Sequence, residues 1–216
     1  MPFSENAWVR GAFTHAKKAT FIKKDIYMIG YAFSASFCTL ERSFSVLSEL
    51  VRSGLEVQPI MSENTYTTDT RFTKARDFLT RVEDLTKKTV IHTVADAEPL
   101  GPKCPLDALV IAPCTGNTLA KIANGITDTA VTMAAKAHLR RDRPTLIALA
   151  SNDAMSQNLK SLATLITRRS VFFVPMLQDD PEGKPHSLVA KIELVPKALD
   201  AMRRGEQLRP LFLTAN

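Results

Sequence analysis

The sequence predicts an α/β fold, a parallel sheet with helices on both faces. Three observations carry the prediction. Short apolar runs alternate with longer segments of helical periodicity along most of the chain, which is the pattern of repeated βαβ units. The apolar runs are nearly continuous, as strands buried on both faces require. The 216 residues, 45% of them apolar, are enough to bury a core without disulfide or metal staples.

Residues 1–22 have no sustained periodicity and read as an extension, with a short helix around Trp8–Phe13. The first strand is expected over Ile26–Gly30. In the helix that follows, Leu40, Phe44, Leu47 and Val51 recur at three or four residues, and Gly54 stands where a glycine ends a helix. Leu55–Met61 reads as the second strand and about Arg71–Lys87 as the second helix, with Phe78, Leu79, Val82 and Leu85 inward. Ala108–Pro113 is the third strand, leading into helices near Thr118–Asn124 and Asp128–Arg140. Thr145–Ala150 and Val171–Pro175 complete the strands, with helices at about Asn152–Thr167 and Lys191–Arg204. The expected organisation is a basic extension, 1–22, and a single domain, 23–216.

The net charge of +6 is unevenly placed. Arg10, Lys17, Lys18, Lys23 and Lys24 stand against Glu5 alone in residues 1–24, which leaves the rest of the chain close to neutral. A pI near 9.3 therefore describes an arm and not a nucleic-acid footprint. No window approaches 18 uncharged apolar residues, and no standard signal peptide opens the chain. Cys38, Cys104 and Cys114 lack C-x-x-C spacing and read as free thiols of a reducing cytoplasm, neither a disulfide framework nor a zinc site.

In such folds ligands sit at the carboxyl ends of the strands, where strand order reverses. The first loop, Gly30–Thr39, offers Ser34, Ser36 and Thr39 beside a helix N-terminus, which suits a phosphate. Helix capping by Ser36 or Thr39 is the plainer alternative. No G-x-G-x-x-G is present, so a dinucleotide fingerprint is not supported. The second loop, Ser62–Phe72, carries Arg71, whose planar fork suits a carboxylate or phosphate. The third, Ala112-Pro-Cys-Thr-Gly-Asn-Thr through Asp128, sets Thr115, Gly116, Asn117 and Thr118 at a strand-to-helix turn. In Gln178–Ser187, Asp179, Asp180 and Glu182 read as a solvated turn, and His15, His92 and His138 have no evident partner.

Together these segments resemble the homo-oligomeric flavin-containing cysteine decarboxylase superfamily and, within it, the family of dipicolinate synthase B subunits. The resemblance runs collinearly over about residues 23–212, through Ala112–Asp128, Asn64–Phe72, Ala97–Lys103, Ala134-Ala-Lys136, Ser151-Asn-Asp-Ala154 and Val171–Pro175. It implies a three-layer Rossmann-like or flavodoxin-like fold and a homo-oligomer, a trimer or a multiple of trimers, with the ligand at a subunit boundary.

The resemblance also implies one half of an oxidoreductase. With an A subunit that carries NAD(P), it would oxidise a dihydrodipicolinate-level intermediate to dipicolinate during sporulation, in the mother-cell cytoplasm. Ser34, Ser36, Thr39, Thr115, Gly116, Asn117 and Thr118 would line an FMN or phosphate pocket. Arg71, with Lys121 and Lys136 as lesser candidates, would hold a substrate carboxylate. No side chain stands out as a general base. A flavin-binding or partner-stabilising module without its own chemistry is the alternative. The first loop has Ala32 and Ala35 where the family carries glycines. The decarboxylase branch's His after the second strand and its Pro-x-Met-Asn-x-x-Met-Trp clamp have no match in Ser62–Phe72 or Ala150–Met155, which argues against cysteine decarboxylation.

Overall fold

The computed structural model describes residues 28–101 and 106–214. The expected extension at 1–22, its short helix, His15 and Cys104 lie outside these residues.

Among the described residues one sheet holds β1 (Met28–Phe33), β2 (Glu56–Met61), β3 (Ala108–Thr115), β4 (Thr145–Ser151), β5 (Val171–Phe173), β6 (Met176–Leu177) and β7 (Leu188–Ala190). Their spatial order is β2-β1-β3-β4-β7-β6, with β5 also on β4. β1 through β5 pair in parallel, as the sequence predicts. β7 runs antiparallel to both β4 and β6, so the sheet is mixed. The outer edge of β4 is shared: Thr145–Ile147 pair with β5, and Ala150–Ser151 with β7. Strands of two and three residues are too short to show a period in sequence.

The helices are α1 (Leu40–Arg52), α2 (Glu63–Thr67), α3 (Ala75–Thr86), α4 (Val94–Ala97), α5 (Gly116–Ala123), α6 (Ala130–Leu139), α7 (Leu159–Ile166) and α8 (Val195–Arg203). Gly54, just past α1, has φ +92°, the left-handed conformation a helix-ending glycine supplies at least cost. Two helices start later than the periodicity suggests. The Thr70 hydroxyl accepts from the N–H groups of Phe72 and Thr73, and Asp69 accepts from Ala75 N–H, so side-chain turns replace the first helical turn. At the start of the fifth expected helix the turn is made by the backbone instead, the Asp153 main-chain carbonyl accepting from Ser156 and Asn158 N–H.

Alternate residues of each strand enter opposite layers. Ala108, Val110 and Ala112 of β3 join Tyr31, Phe33, Leu47, Phe78 and Leu199 under α1, α3 and α8. Leu109, Ile111 and Cys114 join Leu119, Val131, Leu162 and Phe173 under α5, α6 and α7. The result is the three-layer architecture expected, and it places the ends of β1 and β3 side by side at the point where strand order reverses.

Candidate functional site

At that point the ends of β1 and β3 are laced together by Ser34. Its side chain is buried; its hydroxyl donates to the Pro113 carbonyl at 2.9 Å and accepts from the Thr115 N–H at 2.8 Å. Ser43 of α1 donates to the neighbouring Ala112 carbonyl at 2.5 Å, and the Tyr31 hydroxyl lies 2.9 Å from Ser43 Oγ. These carbonyls lie where the β3–β4 register shifts, between Ile111 and Cys114. Buried acceptors there need such partners.

Thr115 then caps α5, its hydroxyl accepting from Thr118 N–H at 3.2 Å and donating to Thr118 Oγ1 at 3.0 Å. Asn117 is exposed, and its amide makes no side-chain hydrogen bond among the described residues. In the first loop neither Ser36 nor Thr39 caps a helix through its side chain, so capping does not account for their presence. Thr39 Oγ1 donates to the Ser36 carbonyl at 2.9 Å, while among the described residues Ser36 Oγ has only Cys38 Sγ, at 4.0 Å. None of residues 34–39 has positive φ, so alanine at 35 is compatible with this turn.

Gly116 faces a group that sequence alone does not single out. A Cβ there would collide with Ser151 Oγ and come within 2.7 Å of Asn158 Nδ2 and 2.8 Å of Asp153 Oδ1. Ser151 Oγ donates to Asp153 Oδ1, and Asn158 Nδ2 donates to Oδ2 at 2.8 Å. These donors, Ser151 first, hold the Asp153 carboxyl below the usual carboxylate range. A carboxylate thus already stands beside the start of α5, whose dipole favours it. The clue in the sequence is the Ser-Asn-Asp run after the fourth strand.

The candidate cations do not converge on one place. Arg71 lies in the loop after α2, exposed, with its guanidinium 4.8 Å from the Phe72 ring centroid and no carboxylate partner among the described residues. Lys121, in the last turn of α5, is committed to Asp128 at 2.8 Å. Lys136, in the last turn of α6, lines a separate cavity with Arg140 and Arg168. His92 stacks on Tyr66, ring centroids 3.8 Å apart. Asp179 accepts from Ser187 at 2.6 Å and Asp180 from Gly183 N–H at 2.9 Å. That loop is held by its own side chains and by Met155 N–H, which donates to the His186 carbonyl at 2.9 Å.

The residues present fit a phosphate ester at the first loop, where Ser36 Oγ is available and residues 34–39 hold no carboxylate. They fit it less well at the start of α5, where Asp153 is the resident anion.

The family model described as Flavoprotein matches residues 19–197. The dipicolinate synthase B subunit of Bacillus subtilis is 43% identical over 185 residues, covering 86% of this chain and 92% of the relative. The crystal structure of the dipicolinate synthase B subunit from Bacillus halodurans superposes with TM-score 0.81 at 35% identity, over 88% of this chain and 97% of that one. The FMN-dependent cysteine decarboxylase SpaF shares the fold, with TM-score 0.60 at 20% identity over 85% and 99% of the two chains.

Proposed function

Because this chain belongs to the Flavoprotein family, and within it to the dipicolinate synthase B subunits, we propose that it is one half of an enzyme that makes dipicolinate. It works with an A subunit on a dihydrodipicolinate-level intermediate. The observation that carries this reading is the identity of 43% over nearly the whole length of the Bacillus subtilis protein. In this reading residues 23–216 form the one α/β domain and 1–22 a basic extension. The assembly is a homo-oligomer built on trimers and sits in the mother-cell cytoplasm of a sporulating cell.

The dihydro ring gives up a hydride and a proton and gains aromaticity, so the protein's task is placement. Arg71, unpaired and with a planar fork, takes one substrate carboxylate. Ser36 of the first loop and Asn117 of the third hold the phosphate of a bound nucleotide; Ser34, Thr115 and Thr118 act by fixing the loops. Thr39 braces Ser36 through its carbonyl. Bound FMN, or a nicotinamide nucleotide on the A subunit, supplies the two-electron acceptor.

One observation favours a second reading, a flavin-binding or partner-stabilising module without its own chemistry. Asp153, the carboxylate beside α5, already has both oxygens hydrogen-bonded, so it is poorly placed to take a substrate proton. The test is to purify the chain alone and with its A subunit, then record flavin absorbance and dipicolinate formation with NAD or NADP. Activity that needs both chains supports the enzyme reading. The full rate from the A subunit alone would overturn it.

A further inference from the structure

We propose that the cavity between α5, α6 and the segment after α7 is a second anion site, specific for a small dianion and separate from the carboxyl-edge loops. The cavity measures about 170 Å³ and is lined by Lys136, Arg140 and Arg168 together with Thr127, Thr132 and the apolar side chains of Ile122 and Leu139. Among the described residues no acidic side chain lines it. None of the three cations has an ion pair or side-chain hydrogen bond among the described residues, whereas Lys121, which does not line the cavity, is neutralised by Asp128 at 2.8 Å.

Its place in the fold separates it from the edge. Arg140 stands in the segment leading into the amino end of β4, and Arg168 in the one leading into β5. Ser34 and Thr115 lie at the carboxyl ends of β1 and β3, the opposite end of these parallel strands.

Three like charges held around one concavity repel one another, and a bound anion relieves that repulsion. Two arginine forks match two carboxylate or phosphate groups in bidentate fashion. Lys136 adds a point charge, and Ile122 with Leu139 supplies an apolar wall for a flat or short carbon frame. The fitting chemistry is a small dicarboxylate or a phosphate ester. Lys136, a candidate for the substrate carboxylate on sequence grounds, belongs to this site.

The test is isothermal titration of the full chain at low ionic strength, with benzene-1,3-dicarboxylate in one arm and inorganic phosphate in the other. Saturable binding of either probe is expected. Arg140→Gln and Arg168→Gln should each weaken it by about tenfold, the loss of one charge-assisted hydrogen-bond pair, with unchanged thermal unfolding. The arm that binds identifies the anion class. Binding of neither probe, or affinity unchanged in both variants, would overturn the proposal. So would binding abolished by Arg71→Ala, which would place the anion at the carboxyl edge. A failed reconstitution with the A subunit would leave this titration readable.

Discussion

Ser34 and Thr115, 81 residues apart in sequence, share a 2.8 Å hydrogen bond in which the Thr115 backbone N–H donates to the Ser34 hydroxyl. The same hydroxyl donates to the Pro113 carbonyl. One small buried side chain therefore fixes the first and third loops relative to each other at the point where strand order reverses.

Ser34→Ala removes both bonds and leaves the Thr115 N–H and one Pro113 lone pair without that partner. A loss of roughly 1–3 kcal/mol in unfolding free energy is expected, measured by urea denaturation. The variant should also bind ligand at the edge more weakly, since the loops keep only the backbone bond from Ser34 N–H to the Pro113 carbonyl, at 3.1 Å.

Gly116→Ala forces a methyl group into Ser151, Asp153 and Asn158. Overpacking of this kind costs about 1–3 kcal/mol, and here it also displaces the donors that hold the Asp153 carboxylate. A lowered Tm is the expected readout. An unchanged Tm would show that the loop after β4 yields without cost.

His138 gives a pH prediction. It is almost fully buried, its Nε2 lies 3.0 Å from the Pro144 carbonyl and its Nδ1 has no partner among the described residues. Burial pushes its pKa down to about 4, with Arg143 adding to the effect and the Pro144 carbonyl and Asp107 opposing it. The unfolded chain takes up this proton near pH 6.5, and the folded chain only near 4. The stabilisation is complete above pH 6.5 and is lost as pH falls from there to 4, by roughly 3 kcal/mol in all. Unfolding free energy measured at steps through this window should fall in the natural protein. His138→Gln should flatten that slope, leaving the acid loss that paired carboxylates contribute at lower pH.

Thr145 Oγ1, at the start of β4, is buried without a hydrogen-bond partner among the described residues. Thr145→Val keeps the branched shape and removes the unsatisfied hydroxyl, so stability should rise by about 1 kcal/mol. A loss in urea midpoint would indicate that the hydroxyl has a partner.

Arg71→Ala should leave unfolding unchanged, because the side chain is exposed and makes no ion pair or hydrogen bond among the described residues beyond its approach to the Phe72 ring. In the reconstituted enzyme it should raise the apparent KM for the dicarboxylate by about tenfold or more. Unchanged kinetics would reject its assigned role.

The fold was legible wherever the signal was long. Apolar runs such as Ala108–Pro113 and the three-to-four spacing of Leu40, Phe44, Leu47 and Val51 locate the parallel strands and α1 closely. The β6–β7 pair was not legible, because two or three residues carry no period and a polar turn separates them. Asp69 and Asp153 delayed helices by local hydrogen bonding that hydrophobic periodicity cannot see. At the site, the hydroxyl-rich loops could be read from composition. The tie from Ser34 to Thr115, the enclosure of Asp153 and the grouping of Lys136 with Arg140 and Arg168 depend on tertiary proximity. That same proximity leaves Lys121, Lys136 and Arg71 in three separate places.

The most direct measurement is a titration of this chain into a fixed amount of its A subunit, reading the initial rate of dipicolinate formation. A negligible rate from the A subunit alone, with a rise that saturates once the two chains are stoichiometric, is the expected result. A full rate before any of this chain is added, with no further increase on addition, would contradict it.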